Sequence, residues 1–563
     1  MTNGSGWLRL AAAAVSGLLV AGAFPPLDTT WLVWVGMLPL LWALWSVGSA
    51  GGNRSGWKGF GLGYLAGLVA CLIQFHWVAS VSWLGAILLP MYLAVYWGLF
   101  GLFAAKIGNP WAGGKPTRIL TVAFCHGAVW AGCELLRGWV ITGISWNVLG
   151  TAFHEIPQLA QAADLFGVVG LSMMLVFFQA TFLQAVKLRK WSALATATAI
   201  LGLVAIYGVV RIRIENGAES IRLKALLVQI NIPQEADRVL WTDLETHQAY
   251  EDETLKALDA LKTPDGQLSS SWPDWIMWPE CALTGRILRA DDGSWGTWQI
   301  NQDTISQVQA AGPFSLIYGV NELEADRTGD QWIMKEKAKA YNSIAVMSPS
   351  DELQTFRKQH LVIFGETIPF VDSIPLLKKI YEQQSGTEYN GSFTAGNSLE
   401  PLPIPAGQTT IGAIPTVCFE DSVPRLTRKF VRPGPQVIIN VTNDGWFKQS
   451  AAAAQHFQYA RFRAIELRRP MLRCANTGVT AAISSTGSTR HPDTGKSQIL
   501  TDEKGGHFTR GSLLTELNVP VHPSLSLYAV IGDWGLIALA GIGLGIPMVI
   551  ERRQRSKIAR SVA

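Results

Sequence analysis

Along its first 212 positions the chain repeats one pattern, a long apolar run, a short polar break and another apolar run. The runs cover about 8–24, 30–48, 59–77, 83–105, 118–138, 165–186 and 191–211, and one more covers about 528–550. A helix needs roughly 17–25 apolar residues to cross ~30 Å of hydrocarbon. The pattern therefore predicts eight membrane spans, seven before a long polar segment and one after it. Pro25 and Pro26 separate the first run from the second and make a tight re-entry. A cleaved signal peptide is the other reading of the first run, but a second span that follows at once favours a retained helix.

From Ile221 the period changes. "IRLKALLVQI" is β-branched and apolar, a strand, whereas "RVLWTDLETHQAYEDETLKALDAL" has apolar residues at helical spacing with charges between them. "DWIMWPE", "FSLIYGVNE", "YNSIAVMS", "TTIGAIPTVCFE" and "PQVIINVTND" predict further strands. "AAQHFQYARFRAIELRRP" predicts a helix with a strongly basic face, and "MLRCANTGVTAAIS" a return to strand. The alternation predicts an α/β domain, with polar residues at strand ends, where such folds place their sites. The expected organisation is a membrane domain over 1–212, an α/β domain over 213–525, a last span over 526–550 and a basic tail over 551–563.

Composition adds an orientation. Charged residues are only 16 % of the chain and mean hydropathy is +0.21, a balance that soluble enzymes seldom show. Fifteen of the 23 tryptophans fall in 1–212 or 526–550, as expected for rings anchored at bilayer interfaces. With both termini and alternate short loops assigned to the cytoplasm, 14 lysines and arginines lie on that side and only Arg137 in the opposite short loops. The positive-inside rule then sets both termini in the cytoplasm and residues 213–525 outside it. Residues 213–550 hold 30 basic and 37 acidic residues, so the overall +4 is a topology signal and implies no nucleic-acid partner. Glu134, in "WAGCELLRGW", is a charge at membrane depth; it either pairs with Arg137 one turn later or serves a lipid or substrate.

Six cysteines show no CxxC or Cys/His spacing and no disulfide framework, and the nine histidines form no HExxH pair. Neither a metal nor a cofactor is expected. Three strand-end motifs carry the candidate chemistry: "WPE" with Glu280, "FRKQHLVIFGE" with Lys358 and Glu366, and "VCFED" with Cys418 and Glu420. Singly each reads as a solvated cap or a packed thiol. Together they describe a device in which a carboxylate takes the thiol proton and a lysine holds the oxyanion of a tetrahedral intermediate.

The order Glu, Lys, Cys in these contexts resembles the nitrilase (carbon–nitrogen hydrolase) superfamily. The chain is most similar to its membrane branch, the bacterial apolipoprotein N-acyltransferases, through "NVTNDGWF" (440–447), "QHFQYARFRAIELRRPMLRCANTGVTA" (455–481) and "LRGWVITGISWNVLG" (136–150). The resemblance implies an eight-span, multi-pass α-helical membrane domain plus a nitrilase-like α/β domain, an α-β-β-α sandwich, on the extracytoplasmic side of the bacterial inner membrane. It implies that Cys418 attacks the sn-1 ester of a phospholipid, phosphatidylethanolamine by family habit, and that the thioester passes its acyl chain to the α-amine of a diacylated apolipoprotein. Glu280 is then the base and Lys358 the oxyanion holder. Glu366 would orient Lys358 or the amine, and Glu420 the loop behind the nucleophile. Trp241, Asn342, Asn443, Trp446 and Glu466 match pocket and supporting positions, with packing or a helix salt bridge as the plain reading of each. The partners implied are the phospholipid, the lipoprotein and the bilayer, with the enzyme a monomer.

Two residues depart from the pattern: Phe419 where relatives often carry tyrosine, and Ile363 where proline is frequent. Three other readings stay open on residues alone. One is a membrane-tethered amidase that gives its acyl-enzyme to water, and another is a catalytically dead lipoprotein-binding scaffold. The third is a papain-like pairing of the thiol with His360 or His456. The segment 373–393, "SIPLLKKIYEQQSGTEYNGSF", is mixed apolar and basic and reads as a mobile lid or an ordinary surface loop. Cross-linking it to the body of the domain should abolish activity if it is a lid; full activity on both substrates would exclude that role.

Overall fold

The computed structural model describes the chain apart from residues 1–3, 50–53, 107–114, 236–237, 364, 369–370, 372–373, 386–390 and 563. The side chains of 4–5, 235, 238, 380–381, 384–385 and 551–562 are also outside the description. The chain divides into two compact units, residues 1–214 with 526–563, and residues 215–525.

Among the described residues six helical segments are long and apolar enough to cross a membrane: Thr30–Ser49, Ser55–Gln74, Trp83–Lys106, Pro116–Thr142, Ala163–Leu188 and Trp191–Asn216. Two shorter apolar helices, Gly6–Gly22 and Trp534–Ile550, occupy the first and last expected runs. The second run is not one helix. A 3₁₀ segment, Thr30–Trp34, breaks before the helix Leu38–Ser49. In hydrocarbon the freed backbone groups need partners, and Gln179 supplies them, accepting from Met37 N at 2.9 Å and donating to Val33 O at 3.1 Å.

The same logic accounts for Glu134. Its Oε1 accepts from the backbone N–H of Leu149 at 3.0 Å, while Arg137 donates to Trp146 O at 2.8 Å. Acid and base are therefore each spent on the backbone of the segment after the Pro116–Trp139 helix, which continues into the 3₁₀ turn Leu149–Glu155. Direct pairing of the two side chains is not what holds them. Ser172 adds a bond from Gly150 N at 2.7 Å. Between two further helices, buried Asp164 accepts from Tyr207 Oη and from Arg211 Nε.

The second unit is two sheets face to face with helices outside them. One sheet has the path Leu353–Arg357, Ala340–Met347, Ser315–Thr328, Trp275–Met277, Ser220–Gln229, Gly511–Pro520. The other runs Leu402–Ala406, Thr409–Val417, Gln436–Thr442, Met471–Ala475, Ala481–Ile483. Cys474 Sγ lies 3.2 Å from Met277 O and Trp275 Nε1 donates to Pro405 O at 2.8 Å, so the two sheets meet. Outside the first sheet lie the helices Asp243–Asp259 and Gln299–Gln309, whose Tyr250, Leu258, Ile305 and Val308 pack with Trp278, Leu316 and Tyr318. Thr242 and Glu245 close a capping box that starts the first of these helices. The helix Ala451–Leu467 packs on the turns Cys418–Ser422 and Asp444–Phe447, which follow strands of the second sheet. This is the expected α-β-β-α sandwich.

Two expectations change. "MLRCANTGVTAAIS" is two antiparallel strands folded at Asn476–Val479, with Gly478 at φ +114 supplying the turn. The basic face of Ala451–Leu467 is not solvated: Arg463 is fully buried and pairs with Glu466 at 2.8 Å. Of the segment 373–393, Pro375–Ser385 forms a helix with Leu376 exposed; residues 373 and 386–390 lie outside the described residues.

Replacing Glu134 by alanine should lower the thermal stability of the detergent-solubilised protein by about 1–3 kcal/mol, the cost of stranding a buried donor. Glu134→Gln, which keeps an acceptor for Leu149 N, should lose less; equal losses would mean that the hydrogen bond is not what Glu134 provides.

Candidate active site

Four strand ends deliver the site. Glu280 follows Trp275–Met277, and the close approach of Gly319 fixes its backbone. A Cβ on Gly319 would stand 2.5 Å from Glu280 Cα, too close for any side chain. Asn342 lies within Ala340–Met347, and Lys358 directly follows Leu353–Arg357, its N–H bonded to Asn342 O at 2.8 Å. Cys418 follows Thr409–Val417 and opens a 3₁₀ turn through Ser422. Its φ of +51 is in the left-handed region that non-glycine residues rarely enter. Asn440 Nδ2 donates to Cys418 O at 3.1 Å and to Thr416 Oγ1 at 3.0 Å, holding that turn from the neighbouring strand.

The side chains converge. Lys358 Nζ is 2.8 Å from Glu366 Oε2 and 3.8 Å from Glu280 Oε1. Asn342 Nδ2 donates to both carboxylates, to Glu280 Oε1 and to Glu366 Oε1, each at 2.8 Å. Glu280 Oε2 is buried without a hydrogen-bond partner among the described residues, and the Cys418 thiol lies near enough for the Glu280 charge to act on it. Glu420 Oε1 accepts from Gln359 N at 2.7 Å and His360 N at 2.9 Å, and Oε2 accepts from Val417 N at 2.8 Å. It thus ties the chain after Lys358 to the chain before Cys418.

Electrostatics follow from burial. Burial opposes charge on Lys358, but Glu366 and Glu280 outweigh it and raise the lysine above its ordinary range, so it stays an ammonium. Burial pushes Glu280 up, with Lys358 opposing. On Glu366 burial also pushes upward, but Lys358 and its hydrogen bonds win and the group is lowered. Burial, reinforced by the negative charge of Glu280, raises the Cys418 thiol well above its usual value. Burial lifts Glu420 to about 7 against Lys358 and three backbone donors. The arrangement holds a protonated thiol beside a carboxylate of raised basicity and a fixed cation. It suits proton transfer at the moment of attack better than a standing thiolate.

Not every candidate joins this group. Trp241 packs at the edge of the core between the first sheet and its helices. Asn443 accepts from Gly445 N at 3.0 Å and donates to Gln234 Oε1 at 2.8 Å, shaping a turn. Trp446 is half-buried in that turn, Asp444–Phe447. Glu466 is occupied by Arg463. His360 stacks its ring on Phe419, with centroids 6.0 Å apart. The ring nitrogens of His456 face Asp421 and Asp444 at 2.7 and 2.9 Å, so it is not available as a base for Cys418. Asn440, Thr442, Asp421, Asp444 and Arg473 were not picked out from the sequence. Their one signal was polarity inside otherwise apolar strands and turns, as with Arg473 in "MLRCA".

Family models match both units, apolipoprotein N-acyltransferase N-terminal domain over residues 16–181 and carbon-nitrogen hydrolase over residues 273–514. A relative from Bradyrhizobium diazoefficiens named apolipoprotein N-acyltransferase is 30 % identical over 97 % of this chain and 96 % of its own. The chain belongs to the apolipoprotein N-acyltransferase family. Another family member, from Allorhizobium ampelinum, is 31 % identical over 86 % of this chain and 87 % of its own. Among solved structures, a carbon–nitrogen hydrolase superfamily protein from Xanthomonas campestris aligns with 53 % of the chain and 90 % of its own. Its TM-score of 0.31 and identity of 16 % are too low to carry weight. As a family member the protein is a membrane acyltransferase with a nitrilase-like domain.

Because Glu366 is lowered, its ionised form stabilises the fold above the ordinary carboxylate range, and that stabilisation is lost as pH falls through the lowered pKa. Glu366→Gln should therefore melt lower than the parent at pH 7, with the gap closing as the pH is taken into the acid range. A gap that stays constant with pH would mean that the ion pair with Lys358 does not contribute.

Proposed function

We propose that the protein moves an acyl chain from a phospholipid, the sn-1 chain of phosphatidylethanolamine, through a thioester on Cys418 to the N-terminal α-amine of a diacylglyceryl-cysteine apolipoprotein. The name its relatives share supports the acceptor class. The observation that carries the mechanism is the half-buried Cys418 thiol set near enough to the buried Glu280 carboxylate and the doubly paired Lys358 ammonium for both charges to act on it.

As the sulfur attacks the ester carbonyl, Glu280 takes the thiol proton and Lys358 faces the new oxyanion. Collapse expels the lysophospholipid alkoxide, which recovers the proton from Glu280 and leaves a thioester. The amine then attacks, Glu280 takes its proton, and collapse forms the amide while the proton returns to the sulfur. A thioester is a better acyl donor to an amine than an oxygen ester, so the covalent intermediate divides one hard step into two. Asn342 and Glu366 keep Glu280 and Lys358 in register, Glu420 keeps the two catalytic loops together, and Trp446 is the candidate for substrate contact beside them. Water competes with the amine for the thioester, so a site that excludes it favours transfer. The reading places the enzyme as a monomer in the inner membrane, with the catalytic domain extracytoplasmic and both termini cytoplasmic, following the lysine and arginine asymmetry.

Incubation with phosphatidylethanolamine labelled on its sn-1 chain should leave a label on the denatured protein that neutral hydroxylamine removes and that Cys418→Ala lacks. Adding a diacylated lipopeptide should discharge it as an amide. Release mainly as free fatty acid would make the protein a hydrolase, and a folded protein that takes no label from any phospholipid would refute acylation of Cys418.

A further inference from the structure

A second charged cluster lies directly behind the nucleophile turn and takes no part in the scheme above. His456, on the Ala451–Leu467 helix, stands with Nε2 2.7 Å from Asp421 Oδ1 and Nδ1 2.9 Å from Asp444 Oδ1. Asp421 belongs to the Cys418–Ser422 turn, and Asp444 to the Asp444–Phe447 turn that follows Thr442 and Asn443. Arg473, on Met471–Ala475, donates to Asp444 Oδ2 at 3.3 Å and to Val479 O at 3.0 Å. Its Nε is 3.7 Å from Asp421 Oδ2, and its Nη2 is 2.9 Å from His456 Nδ1. All four side chains are at most 1 % exposed.

Two carboxylates and one guanidinium in such a place leave one negative charge uncompensated. A protonated imidazole supplies the balancing charge, with Nε2–H donating to Asp421 and Nδ1 within hydrogen-bond distance of both Asp444 Oδ1 and Arg473 Nη2. Burial works against that charge and so does Arg473, but Asp421 and Asp444 outweigh them and raise His456 above its ordinary range. The imidazolium then joins the turn that carries Cys418 to the Asp444–Phe447 turn that follows the strand Gln436–Thr442.

We propose that His456 is a positioning residue for the nucleophile, a cationic clamp that, with Arg473, holds the left-handed turn of Cys418 against the Asp444–Phe447 turn. The proposal rests on Cys418 being the acylated residue. It touches neither lipid nor sulfur, so its effect should fall on the rate of acylation and not on lipid binding.

The test measures hydroxylamine-labile acylation of the full-length protein by sn-1-labelled phosphatidylethanolamine, for the parent, His456→Gln and Asp421→Asn, with thermal unfolding alongside. Asp421→Asn keeps an acceptor for the imidazole and removes the negative charge, so it reports even if His456→Gln does not fold. We expect variants that fold to acylate about tenfold to a hundredfold more slowly, the cost of a small misplacement of a reacting group, with the lipid KM unchanged within about twofold. Folded variants that acylate at the parental rate, or that lose only lipid affinity, would overturn the clamp. A parent that takes no label would instead refute the role of Cys418 itself.

Discussion

A fully buried ammonium is the constraint on which the catalytic domain depends. Lys358 is 1 % exposed, and a charge in such a place is tolerated only with partners close at hand. Two carboxylates and the amide that bridges them must therefore arrive from three different stretches of chain. Glu280 comes from one strand end, Asn342 from within the adjoining strand system, and Glu366 from the loop eight residues beyond the lysine itself. The sandwich makes this convergence possible because its strands bring polar ends to a common edge while apolar side chains fill the space between the sheets. An electrostatic asymmetry then follows. The carboxylate closer to the lysine is held ionised, and burial leaves the one farther from it more basic.

Much of this could be read from residue order. The apolar runs foretold the membrane helices, because a long uninterrupted apolar stretch has few other uses. The alternation after Ile221 foretold strands and helices in nearly their observed places. Glu280, Lys358 and Cys418 could be named because each ends a predicted strand and because their order matches a known triad. What could not be read is what depends on distant pairing. Nothing near Gln179 says that it repairs the backbone at Val33 and Met37, and nothing near Glu134 says that its partner is an amide fifteen residues on. Helical spacing suggested a basic surface on Ala451–Leu467, but spacing alone does not say how many sides of a helix are covered. Trp241 and Glu466 were matched to pocket positions by motif, and their contacts are those of packing and of a buried helix pair.

Burial shapes the two units by one rule applied in two solvents. In the membrane unit Gln179, Glu134 and Ser172 are buried polar side chains that satisfy broken backbone, while Asp164 is held by Tyr207 and Arg211. In the second unit two buried sets each gather two carboxylates around one permanent cation: Glu280 and Glu366 around Lys358, and Asp421 and Asp444 around Arg473. Each set joins turns that follow different strands, so each fixes the relative height of loops that sheet hydrogen bonding leaves undetermined.

The first and last strands of the catalytic domain, Ser220–Gln229 and Gly511–Pro520, pair antiparallel along their whole length, and Ser220 stands opposite Pro520. The hydrogen bond from Val521 N to Glu219 O at 2.9 Å carries that pairing one step past the sheet. Chain entry and chain exit are therefore separated by about one strand spacing, ~5 Å. To a helical host protein such a module has the footprint of a simple turn. A domain with adjoining ends can be accepted between two helices without spreading them, and exchanged or lost as a single cassette.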